Sequence, residues 1–138
     1  MNNVYSLLGR FGLSAIFIVS GLGKIAGYAG TQQYMESAGV PGGLLPLVIA
    51  LELGGGLAIL AGFGVRWLAP ALAAFTVVAA FLFHANLADQ MQFVNFMKNI
   101  AIAGGFLMLA AQGAGAWSVD AWRAKRSGQA PSTAKGAA

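Results

Sequence analysis

Any chemistry in this chain has to be argued from Glu52. It stands near the middle of Leu44 to Phe63, LLPLVIALELGGGLAILAGF, where it is the only charged residue. A run of that length, at about 1.5 Å per residue, spans a hydrocarbon core. A carboxylate at bilayer depth costs roughly 2.5–3.5 kcal/mol on insertion scales, so it needs a base, a proton or water. The groups able to meet that need are Lys24, His84, Asn95, Lys98 and Asn99, each near or inside another apolar stretch. Counted from one boundary at about 1.5 Å per residue, Lys24 and His84 lie within about a turn, Lys98 about 9 Å below and Glu52 about 12 Å below. Depth alone pairs Glu52 with Lys98, and Lys24 comes second. These residues permit proton transfer by the Glu52–Lys98 pair, and binding of a polar head group by Lys24, His84, Asn95 and Asn99. The structural reading of the same residues is an internal salt bridge that fixes helix packing, with Arg10 and Lys24 snorkelling to the interfaces and the asparagines bonded across helices.

Composition sets the frame for these groups. Of 138 residues, 58% are hydrophobic and 9% charged, with a mean hydropathy of +0.72. Soluble domains carry about 25% charged residues, so the chain reads as a membrane protein. The net charge of +4 is concentrated in Arg123, Lys125, Arg126 and Lys135. That placement suits topology and lipid head groups rather than nucleic acid. With no cysteine and a single histidine, disulfides, iron–sulfur clusters and c-type haem attachment are excluded, and a zinc or bis-histidine haem site within one chain is implausible. No metal site is expected. If electrons pass through, the carrier comes from outside; a lipid-soluble quinone suits lysine or histidine donors and needs a proton.

The positioning elements follow from hydropathy. An all-α, four-helix membrane bundle is expected, with helices at about 5–26, 44–63, 67–86 and 93–112 forming a domain over 1–117. An interfacial turn and a disordered basic tail would fill 118–138. Phe11 to Gly23 has the length of a signal-peptide core, yet Lys24 and three further apolar segments make it a first span. The short link Gly64-Val65-Arg66 predicts antiparallel neighbours, whereas 27–43 and 87–92 read as loops. Basic residues Arg10, Arg66, Arg123, Lys125, Arg126 and Lys135 fall on the side of the termini, which predicts cytoplasmic termini with Trp67, Trp117 and Trp122 in an aromatic belt. LELGGGLAILAGFG (51–64) echoes IAIAGGFLMLAAQG (100–113), which suggests a tandem pair of helical hairpins with double glycines at equal depth.

FIVSGLGKI, LVIALELGGGLAILAGFGVR and FMKNIAIAGGFLMLAAQGAGAWSVDA, taken in this order, resemble the DoxX family of small four-helix bacterial inner-membrane proteins over residues 5–122. The most specific parts are Gly-x-x-Lys at Gly21–Lys24, Glu-Leu-x-Gly-Gly at Glu52–Gly56, and G-x-G-x-x-S-x-D at Gly113–Asp120. The resemblance implies a multi-pass inner-membrane protein and a redox context, because the family takes its name from a membrane subunit of a thiosulfate:quinone oxidoreductase. It names no substrate. Two functions follow as expectations. One is a quinone-linked oxidoreductase subunit using the pocket residues above. The other is a non-catalytic membrane anchor or organiser for a redox or detoxifying enzyme, bound through GAGAWSVDAWRAKR and small-residue faces; a homo-oligomer is a separate expectation.

Overall fold

Lipid offers a backbone no hydrogen bonds, so an apolar segment that crosses it closes its own ladder as a helix. In the computed structural model, which describes residues 2–128, the helices are α1 (Asn2–Ala26), α2 (Tyr28–Ser37), α3 (Gly42–Ala61), α4 (Val65–Phe83), α5 (Gln90–Gln112) and α6 (Val119–Arg126). No strand occurs among the described residues. Helices α1, α3, α4 and α5 are long and apolar enough to cross a membrane. The expected disordered tail falls largely outside the described residues.

Helix α1 lies along α3, and α4 lies along α5. Small residues permit the close approaches. A Cβ on Gly21 would stand 3.0 Å from Leu53 Cβ, and one on Gly56 would stand 3.0 Å from Ile18 Cγ1. Gly55 receives Leu72 of α4, and Gly105 receives Leu13 of α1. The bundle centre is Phe17, Ile59, Leu72, Ala103 and Phe106 with their neighbours, where the Phe17 and Phe106 rings meet edge to face at 5.4 Å.

Four features depart from the hydropathy reading. The stretch expected to be a loop after α1 contains the helix α2. Its polar sequence, YAGTQQYMES, carries no apolar stripe, although Met35 is buried under it. Helix α4 starts at Val65 rather than at the expected 67, which puts Pro70 in its second turn, on an exposed face. The glycine echo is incomplete: Gly55 and Gly56 are both buried, whereas Gly104 has nothing within 4 Å. Most consequential, Ala50–Gly54 within α3 is a π-helical turn centred on Glu52. Such a turn takes in one more residue than an α-turn and is found frequently at functional sites.

Candidate functional site at the far end of the bundle

One end of the bundle gathers the start of α1, the end of α3, the start of α4, the end of α5 and α6; the opposite end gathers the end of α1, α2 and the His84 end of α4. At this opposite end a cavity of about 300 Å³ opens between the helices. Its walls are mostly apolar, including Ile16, Phe17, Val48, Phe75 and Ile102. Lys24, Glu52, His84 and Asn99 are brought together on it, as are Ser20, Thr31, Tyr34 and Thr76. The sequence reading did not single out these last four. Their signal was weak, since hydroxyl side chains also cap turns and bond back to helical carbonyls. Thr76 Oγ1 does so, donating to Leu72 O at 2.6 Å.

Glu52 is 6% exposed. The expected partner, Lys98, is turned outward and exposed. Lys24 takes its place, with Nζ 2.9 Å from Glu52 Oε2. The physical reason is rotation about the helix axis, which depth does not fix. Asn99, Ile102 and Phe106 define the inward face of α5, and one residue is a turn of about 100°. Lys24 also donates to Ser20 Oγ at 2.6 Å, one turn earlier on α1. It remains about one quarter exposed, so it reaches from the cavity towards the boundary. The Lys24 ammonium thus bridges Ser20 Oγ and the buried Glu52 carboxylate. A carboxylate on a cavity wall retains lone pairs with which to accept a further donor or a proton.

His84 caps the far end of α4, with Nδ1 3.0 Å from Gln92 Oε1. With that amide oxygen as acceptor, Nδ1 carries the hydrogen of this bond. Asn95 is half-buried one turn from Asn99 but does not line the cavity. Helix α2 closes one side: Thr31, Tyr34 and Met35 line the space, and the Tyr34 ring stacks on Phe83 at 5.4 Å. No cluster of three or more His, Cys, Asp or Glu side chains able to hold a metal occurs among the described residues.

Arg10 was expected at an interface and instead is 1% exposed. Its Nη1 donates to Leu60 O at 2.7 Å and to Ile59 O at 3.4 Å, and its Nη2 donates to Trp117 O. The last carbonyls of α3 have no partner within the helix, and a guanidinium there also meets the negative end of the helix dipole. The C-terminal segment completes this latch. Asp120 accepts from Gly64 N at 2.8 Å and from Val65 N at 3.1 Å, and its own N–H donates to Gly62 O at 3.0 Å. Ser118 accepts from Ala121 N, capping α6, and donates to Gly115 O at 2.6 Å. Ser6 Oγ donates to Ala114 O at 3.0 Å. Gly62 and Gly115 have positive φ, +74° and +84°, and a Cβ on Gly62 would come within 2.6 Å of Arg10 Nη1. The Gly113–Asp120 pattern thus positions the ends of three helices and stands apart from the cavity.

The DoxX family model matches residues 5–85, which covers the cavity residues on α1, α3 and α4. The inner membrane protein YqjF of Escherichia coli K12 is 56% identical over 120 residues, spanning 87% of this chain and 92% of the relative. The inner membrane protein YphA of the same organism is 38% identical over 124 residues, spanning 85% and 89%. No solved structure matches the chain. On the family match and the extent of these two relatives, the chain belongs to the DoxX family.

Proposed function

We propose that this multi-pass inner-membrane protein is a quinone-linked oxidoreductase subunit whose far-end cavity receives the quinone head group. The observation that carries this reading is the buried Glu52 carboxylate, 2.9 Å from the Lys24 ammonium, on the wall of a largely apolar cavity. Two electrons and two protons convert a quinone to a quinol. In this reading a redox partner protein supplies the electrons. Lys24 donates a hydrogen bond to one carbonyl oxygen; Glu52, first protonated from water at the boundary, passes that proton to the same oxygen, the second carbonyl oxygen takes its proton from water, and Asn99 and His84 hold the ring. Lys98 has no part in the mechanism, because its side chain points away from the cavity.

The anchoring alternative relied on the GAGAWSVDAWRAKR segment for partner binding. Its Ser118 and Asp120 are occupied within the chain itself, so a partner would meet the outward Trp122, Arg123, Lys125 and Arg126 instead. The test is mass spectrometry of quinones retained by the mildly purified protein, compared with a Glu52→Gln variant. Retained quinone in the parent and its loss from an inserted, monodisperse variant is the expected result. Absence of quinone from the parent, or equal retention by both, overturns the proposal.

A further inference from the structure

The termini end carries a charged, aromatic surface that neither the cavity nor the latch uses. Its cations are Arg66, Arg123, Lys125 and Arg126, all exposed. Three of them lie over exposed rings: Arg126 at 4.8 Å from Trp122, Arg123 at 5.3 Å from Phe63, and Arg66 at 5.3 Å from Trp67. Trp67, Trp117 and Trp122 are 76%, 54% and 56% exposed. Rings so exposed would be unfavourable in water but suit the head-group layer, where their apolar bodies and polar N–H groups are both accommodated. Helix α6 buries Ala121 against the bundle and turns Trp122, Arg123, Lys125 and Arg126 outward. Its placement is fixed by Asp120, whose carboxylate is taken up by the Gly64 and Val65 N–H groups.

From this arrangement we infer that α6 is an interfacial clamp for anionic phospholipid head groups, with Arg123, Lys125 and Arg126 engaging the phosphates while Trp122 and Phe63 settle at the glycerol level. The occupant follows from charge complementarity. The cations on this face greatly outnumber its acids, and Asp120, the acid within it, is directed into the backbone of the α3–α4 turn. The cation–ring contacts hold the guanidinium groups in place before a lipid arrives, which lowers the ordering cost of binding. The inference is independent of the quinone reading, because the two surfaces lie at opposite ends of the bundle.

The experiment is native mass spectrometry of the full chain in detergent, titrated with phosphatidylglycerol or phosphatidylcholine. Each basic residue near an anionic surface contributes about fivefold. The parent should retain phosphatidylglycerol preferentially, and a variant combining Arg123→Gln, Lys125→Gln and Arg126→Gln should weaken it about 100-fold while leaving phosphatidylcholine unchanged. Lys125→Gln, which removes no cation–ring contact, should cost about fivefold and serves if the triple variant fails to fold. Equal retention of the two lipids by the parent overturns the inference. So does an unchanged preference in Lys125→Gln and the triple variant, or displacement of the lipid by inorganic phosphate at equal concentration.

Discussion

The two ends of the bundle treat a buried charge in opposite ways. At the termini end, Arg10 is almost wholly enclosed and meets three backbone carbonyls, leaving only its Nε without a partner. Glycines of positive φ bring the chain close enough for these bonds. At the far end, Glu52 is nearly as buried, yet its partner is a flexible, one-quarter exposed lysine and open space lies beside it. A charge held by rigid backbone groups stabilises one arrangement. A charge beside a mobile base and a cavity keeps a proton and a ligand within reach. The contrast teaches that depth in the bilayer does not separate structural from chemical charges; the completeness and stiffness of the partner set does.

That contrast can be broken most sharply at the latch. Replacing Arg10 with alanine should leave the Ile59, Leu60 and Trp117 carbonyls short of donors and destabilise the protein by about 3 kcal/mol or more, read as a large drop in thermal midpoint in detergent. Gly62→Ala should follow at about 2–3 kcal/mol, because the left-handed backbone and the crowding by Ser118 and Arg10 act together. Asp120→Ala removes the acceptor for Gly64 and Val65 N–H and should cost about 1–2 kcal/mol. At the other end, Glu52→Gln should alter stability by less than about 1 kcal/mol, since the freed Lys24 already reaches the boundary, while abolishing quinone retention. Lys98→Gln should be nearly silent in both assays, within about 0.5 kcal/mol. A Glu52→Gln variant that melts as early as Arg10→Ala would show that both ends are structural.

The spans were legible because lipid leaves a chain so few choices: an apolar run of that length is a helix whatever its neighbours do. The position of Glu52 was legible for the same reason, and so was its company of Lys24, His84 and Asn99. The identity of its ion-pair partner was not. Lys24 and Lys98 differ by helix rotation, which depends on where Gly21 meets Leu53 and where Gly105 meets Leu13, contacts distant in sequence. Arg10 was misread because the carbonyls that hold it belong to α3 and to the segment after α5. Nothing near Arg10 in the chain announces them. Helix α2 escaped notice because a polar helix laid across a cavity needs only one buried anchor, Met35.

The π-helical turn at Ala50–Gly54 sets the phase of everything downstream on α3. One extra residue in that turn rotates the remainder of the helix by about 100° relative to an uninterrupted α-helix. The carboxyl group sits within the insertion, whereas Gly55, Gly56 and Gly62 come after it and owe their facing to it. Straightening that turn into regular α-helix with every residue kept would therefore misaim the packing glycines and the terminal carbonyls that Arg10 grips, about 12 Å from Glu52 at about 1.5 Å per residue. Through this local irregularity in one helix, the geometry of the acid and the closure of the opposite end are inherited together.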